Sequence, residues 1–147
     1  MFFTNKNAFW GIALFICVLT APPLVSAQTF TLVDEQRSAK VVIGPSEPEH
    51  VRLAVDDLIS DVRKITGKTL EISDSTDGLQ GGYLFVGTVD DPSTSATMKQ
   101  NGISVAELDG KWESYRVKSC SGNVLLIAGS DSRATMFGIY DFIEQYL

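Results

Sequence analysis

Carboxylates are the most numerous side chains of this 147-residue chain that could do chemistry, with 18 Asp and Glu residues in all. Two carboxylates facing each other across a glycosidic bond would suit glycoside hydrolysis. The adjacent pairs do not suit it: we expect Asp56 and Asp57 on the solvent side of an amphipathic helix, and Asp90-Asp91 precedes Pro92 in sequence typical of a turn. We therefore predict no catalytic residue on this chain, and a site built from carboxylates that are distant in sequence stays open as the weakest alternative.

The remaining reactive side chains are too few to build a metal or nucleophile site. His50 is the only histidine, and Cys120 is the only thiol of residues 28–147. One of each does not make a metal cluster, and an exposed His50 and an inert Cys120 are the simpler interpretations. Gly81-Gly82 and Gly87 flank a strand, but no phosphate-binding glycine motif follows. We predict neither a cofactor nor a metal.

The segment Gly110–Tyr115 (G-K-W-E-S-Y) is more distinctive. Trp112 is the only tryptophan of residues 28–147, and Tyr115 lies three positions after it. Such aromatic side chains stack on sugar rings, although a tryptophan that enters a strand also suits a core or interface anchor. Both interpretations stay open at this stage.

The first 27 residues have the pattern of a secretory signal peptide. Lys6 precedes an apolar run over Ala8–Thr20, and Val25-Ser26-Ala27 provides small residues for cleavage. We expect a secreted or periplasmic protein whose mature part is residues 28–147, with no membrane segment after cleavage. That part has 11 basic and 18 acidic residues, a formal charge of −7, which disfavours nucleic acid and anionic membranes as partners.

The hydrophobic pattern of residues 28–147 predicts an α/β (α+β) fold. It has a mixed β-sheet of about six strands with two main helices packed on one face. The predicted strands cover residues 29–33, 39–43, 69–73, 83–86, 113–118 and 123–128, and the predicted helices cover 46–66, 94–100 and 132–147.

Both main helices have an apolar face. In the first, we expect Ser46 to cap the amino end and Gly67 to end the helix. Its predicted buried face is Val51, Val55, Leu58, Val62 and Ile65. In the last, Ser130 or Asp131 is the expected cap, and the predicted face is Met136, Ile139, Tyr140, Ile143 and Leu147, widened by Phe142 and Tyr146.

Phe137 lies on the opposite, charged side of the last helix, with Arg133 and Glu144. A helix that is apolar on more than one side needs cover on more than one side. We therefore expect a further domain to pack against it, with Phe137, Arg133 and Trp112 as the docking candidates.

Three segments resemble the N-terminal domain of glycoside hydrolase family 115, the secreted xylan α-1,2-glucuronidases. They are Tyr83–Thr88, Gly110–Tyr115 and Ile127–Asp141, and the helix with Asp56 and the segment Ile65–Lys68 are also similar. The last segment departs from the family pattern at Ala134, Met136, Phe137 and Phe142-Ile143.

The resemblance implies that a large catalytic barrel follows Leu147 and holds the catalytic and substrate-binding residues, so none is assigned to this chain. We expect residues 28–147 to be a non-catalytic accessory domain, with the barrel as its partner and xylan-type polysaccharide reached through the whole enzyme. The alternative is a free-standing secreted carbohydrate-binding or interaction module that uses Trp112 and Tyr115.

Overall fold

A computed structural model describes residues 29–79 and 82–147, so the predicted signal peptide lies outside the described residues. The elements are, in chain order, strand β1 (Lys40–Ile43), helix α1 (Glu49–Thr66), strand β2 (Ile72–Ser73), strand β3 (Tyr83–Thr88), helix α2 (Pro92–Gln100), a 3-10 turn (Val105–Glu107), strand β4 (Tyr115–Cys120), strand β5 (Val124–Gly129) and helix α3 (Ser132–Tyr146). None of the helices in these ranges is long and apolar enough to cross a membrane.

The strands form one mixed sheet in the order β2-β1-β3-β5-β4. Strands β2, β1, β3 and β5 are parallel to one another. Strand β4, at the edge, runs antiparallel to β5. This confirms the predicted mixed sheet, with five strands in the described residues where about six were expected.

The difference lies in residues 29–33, which were predicted to be a strand. Their only ladder contact is an isolated bridge from Val33 to Ser38. The side chain of Asn123 pairs instead with the backbone of Thr31: its Oδ1 accepts from the Thr31 N–H at 2.6 Å, and its Nδ2 donates to the Thr31 carbonyl at 3.0 Å. Because an amide side chain satisfies this peptide group, the segment is held without joining the sheet.

Both faces of the sheet are covered. The two main helices, α1 and α3, pack on one face, as predicted, over the strand residues Val41, Leu84, Val86, Leu125 and Ile127. The opposite face, with Val42, Phe85, Leu126 and Ala128, is covered by Met98 of α2 and by Ile103 and Leu108. Since alternate residues face different layers that are both apolar, β5 is buried along its whole length.

Helix α1 corrects two predictions. Ser46 is not its cap, because the helix begins at Glu49 and Pro48, the N-cap residue, makes no side-chain capping bond. Ile65 is 59% exposed and does not belong to the buried face, which is Val51, Ala54, Val55, Leu58 and Val62. Gly67 ends the helix in the left-handed region, as predicted.

Helix α3 is rotated relative to the predicted face. Asp131 caps it, as expected, but the buried residues are Ala134, Thr135, Gly138, Ile139 and Phe142. Of the predicted stripe only Ile139 is fully buried; Met136 and Ile143 are partly buried against the core, while Tyr140 and Leu147 are exposed. Gly138 explains the rotation, because the missing side chain lets α3 lie close to Ile127 of β5 and Tyr115 of β4.

Candidate docking and binding surface

The loop that carries Trp112 is fixed to the start of α3. The Glu113 N–H donates to Asp131 Oδ2 at 3.0 Å, and the Ser114 N–H donates to Ser130 Oγ at 3.0 Å. The Ser130 N–H returns a bond of 2.8 Å to the Ser114 carbonyl. Trp112 itself is 83% exposed, so its interpretation as a core anchor is wrong. The structure therefore presents an indole ring to solvent on a tied loop.

Arg133 links this loop to the outer side of α3. Its Nη1 lies 3.1 Å from Glu113 Oε1, and its guanidinium carbon lies 5.5 Å from the centre of the Phe137 ring. That distance allows a cation–π contact. Phe137 remains 39% exposed, on the charged side of the helix where the sequence placed it. Arg133 thus joins Glu113 to Phe137, and Trp112 precedes Glu113 along the chain; we call these four residues the Trp112–Phe137 surface.

Two tyrosines flank this surface, and each has a carboxylate near it. Tyr115 is 38% exposed, and burial raises its pKa, as does the neighbouring carboxylate of Asp141. Tyr140 donates to Asp57 Oδ2 at 2.8 Å, and this bond is the main reason why its pKa is raised. Asp57 of α1 thus connects that helix to α3 through this hydrogen bond.

A cleft of about 430 Å³ opens at the carboxyl ends of the parallel strands, where α/β sheets commonly bind ligands. Its acidic lining is Glu47, Asp90, Asp91 and Asp131. Three of these carboxylates already bind backbone amides: Glu47 accepts from the Thr88 N–H, Asp91 from the Ser46 and Ser93 N–H groups, and Asp131 from the Ala134 N–H. These three carboxylates therefore tie loops and cap helices.

The pKa values of these carboxylates diverge. Burial raises the pKa of Glu47, only partly opposed by two hydrogen bonds from Thr88. Burial also acts on Asp91 and Asp131, but the hydrogen bonds from Ser93 and Ser46 outweigh it at Asp91, and those from Ala134 and Glu113 outweigh it at Asp131, so both pKa values are lowered. Hydrogen bonds thus stabilise the charged forms of Asp91 and Asp131, whereas burial destabilises the charged form of Glu47.

The other reactive side chains lie apart from one another. His50 is exposed in the first turn of α1, and Cys120 is buried at the end of β4, where burial raises its pKa. A raised pKa lowers the thiolate fraction that reacts at neutral pH. Within residues 29–79 and 82–147, no group of three His, Cys, Asp or Glu side chains could hold a metal ion.

A second, more apolar cleft of about 470 Å³ lies near the end of α3. It is lined mainly by Phe30, Leu32, Val117, Leu125, Phe142 and Tyr146. Phe142 and Tyr146, which were predicted to widen the apolar face of α3, both line this cleft. Phe142 is buried and Tyr146 is 66% exposed, and their ring centres lie 5.2 Å apart.

Sequence patterns did not reveal the tie between the Trp112 loop and α3. Asp131 was expected only as a cap, and its bond to the Glu113 N–H joins residues 18 positions apart. The sequence signal that could have indicated this loop is the glycine of the segment Gly110–Tyr115. In the structure Gly110 adopts a positive φ of 69°, and Glu113 adopts one of 45°.

The mixed sheet with helices on both faces defines an α/β domain that has structural relatives. No family model matches this chain, and no curated protein matches it. Among solved structures, a novel family GH115 4-O-methyl-alpha-glucuronidase with specificity for decorated arabinogalactans is similar, with 26% identity and a TM-score of 0.59. The match covers 72% of this chain and 13% of that enzyme, so this chain is similar to a small part of a GH115 glucuronidase.

Proposed function

We propose that this chain is the non-catalytic accessory domain of a secreted glycoside hydrolase related to the GH115 α-glucuronidases. It supports a catalytic barrel that removes side chains from hemicellulose. The observation that carries the proposal is the structural likeness itself, which spans 72% of this chain but 13% of the enzyme. The resemblance of Gly110–Tyr115 and Ile127–Asp141 to the same family also supports it.

The local chemistry is consistent with a supporting role. Three of the four carboxylates that line the cleft at the strand ends, Glu47, Asp91 and Asp131, are used in caps and loop ties. Catalysis of glycoside transfer needs two carboxyl groups free to act on the bond that breaks. A domain built in this way contributes structure, and the chemistry belongs to the barrel.

The outer side of α3 is the proposed docking surface for that barrel. Phe137 and Tyr140 are 39% and 36% exposed there, and Arg133 lies over the Phe137 ring. Aromatic residues and arginine are enriched in the side chains that dominate interface energy. Because these side chains are held by Glu113 and Asp57, they need little ordering when a partner binds.

The proposal is tested by incubating the purified chain with glucuronoxylan and with a decorated arabinogalactan. We expect no release of glucuronic acid above a heat-inactivated control. Turnover by the chain alone would contradict the non-catalytic assignment.

A further inference from the structure

Trp112 is far more exposed than the aromatic side chains on the outer side of α3. Its ring is 83% exposed, more than twice the fraction of Phe137. An exposed tryptophan in a polar setting loses the benefit of apolar burial, so the free domain gains nothing from this position. The side chain therefore needs an explanation outside the stability of the free domain.

The backbone under Trp112 is constrained. Glu113 has a φ of 45°, a left-handed conformation that is uncommon for a residue with a β-carbon. Its N–H is bound by Asp131, and the Ser114 hydroxyl donates to the Trp112 carbonyl at 3.1 Å. Local strain of this kind is retained where the surroundings fix it and is concentrated at functional sites.

The residue after Trp112 belongs to a pair of a hydrogen-bond donor and an acceptor. Glu113 and Arg133, with their charged atoms 3.1 Å apart, offer a carboxylate and a guanidinium at one place. A sugar ring presents an apolar face of C–H groups for an indole, and hydroxyls that both donate and accept at its rim. An indole, a carboxylate and a guanidinium together supply the kinds of group that bind a pyranose ring.

The charge of the surface selects the type of sugar. Arg133 is neutralised by Glu113, and the nearby Arg116 is paired with Glu107 at 3.5 Å. The whole chain has a formal net charge of −6, which repels polyanions. Hydroxyls are therefore favoured over carboxylates as the ligand groups.

We propose that the Trp112 loop binds a neutral pyranose ring of a polysaccharide backbone, with the indole stacked on the ring and the Glu113–Arg133 pair on its hydroxyls. This goes beyond the proposed function, since the domain then contacts the polysaccharide itself as well as supporting the barrel. It also applies to a free-standing module.

The test is saturation-transfer NMR on the full chain with xylohexaose and, separately, galactohexaose, which distinguish the two types of backbone. We expect saturable binding of at least one, weakened at least about tenfold by Trp112→Ala and largely restored by Trp112→Phe. Tyr146→Ala, which removes a 66% exposed aromatic side chain elsewhere, is the matched control and leaves binding unchanged. Far-UV circular dichroism verifies that each variant is folded.

Absence of saturable binding for both oligosaccharides would overturn the inference, as would equal affinity in the chain and in Trp112→Ala. Stronger binding of free glucuronic acid than of either neutral sugar would overturn the selection of hydroxyls. A chain that binds no sugar but uses Trp112 to associate with a catalytic barrel would also overturn it, while leaving the proposed function intact.

Discussion

Asp131 joins the start of α3 to the Trp112 loop with a single carboxylate. Oδ1 accepts from the Ala134 N–H at 2.8 Å, and Oδ2 accepts from the Glu113 N–H at 3.0 Å. One atom thus caps the helix while the other fixes the loop, so the surface that we propose for docking and binding depends on this residue.

Replacing Asp131 with Ala removes both bonds. We expect the free energy of unfolding to fall by about 1–2 kcal/mol, the usual cost of losing an N-cap, together with faster exchange of the Glu113 amide proton. Urea unfolding and hydrogen exchange measure the two effects. Asp90→Ala, which removes an exposed carboxylate at the same end of the sheet, is the control. Unchanged exchange at Glu113 would contradict the tie.

Glu47 predicts a pH dependence of stability. Its folded-state pKa is raised above the ordinary value of 4.5, mainly by burial, with Asp91 adding to the increase and Thr88 and Arg52 opposing it. The folded state therefore holds the Glu47 proton more tightly than the unfolded state does. The free energy of unfolding of the protein thus falls as the pH rises from about 4.5 through the folded-state pKa of Glu47.

Glu47→Gln should remove this component. We expect the stability of the variant, relative to the parent chain, to be greater at neutral pH than at pH about 4. Chemical unfolding at both pH values measures the difference, with Glu49→Gln, an exposed neighbour, as the control. A gap between Glu47→Gln and the parent that does not change with pH would refute this explanation.

At the residue scale, the sequence predicts what is local and misses what is distant. The Asp131 cap was predictable because Gly129-Ser130-Asp131 forms the turn that follows β5, and the amide that Asp131 binds lies only three residues further on. The contacts of Asn123 with Thr31 join residues 92 positions apart, so no local pattern reveals them. The predicted Ser46 cap failed because the chain starts its helix later, at Glu49, and the Ser46 N–H is bound by Asp91.

At the scale of elements, α3 depends on how closely it approaches the sheet. A β-carbon on Gly138 would lie 2.9 Å from Ile127 Cγ2, and one on Gly129 would overlap the backbone nitrogen of Thr135. These contacts set which side of α3 faces inward. The period of its apolar residues predicts a helix but not this rotation, because glycine contributes nothing to a hydrophobic pattern.

Gly129→Ala tests this close approach. We expect a loss of about 2–3 kcal/mol, because the added methyl group meets backbone that has little freedom to move. Gly44→Ala is the matched control at the same end of the sheet, since its β-carbon would lie 3.3 Å from the Glu47 side chain. Thermal and urea unfolding give both values, and equal losses in the two variants would argue against a tight turn at Gly129.

The sheet itself was largely predictable. Continuous apolar runs in β3 and β5 indicated buried strands, and both are covered on two faces. Residues 29–33 alternate like a strand, but register and pairing depend on partners that a single sequence does not specify. That segment is held by Asn123 instead.

At the scale of the whole molecule, the exposed side of α3 is the surface that we propose for docking to a catalytic barrel. Phe137→Ala removes a ring that is 39% exposed, so we expect little change in the stability of the free chain. Its affinity for the separately expressed catalytic barrel should fall at least about tenfold, as for a central interface residue. Isothermal titration calorimetry measures this, with Leu53→Ala, a 54% exposed residue of α1, as control. Equal affinities of the two variants would exclude Phe137 from the interface.

The assignment of this chain as an accessory domain is tested most directly by the sequence of the transcript beyond the codon for Leu147. If this chain is the accessory domain that we propose, we expect the reading frame to continue into a catalytic barrel. An in-frame stop at that point, with no barrel sequence after it, would contradict the assignment of this chain as the accessory domain of a glycoside hydrolase.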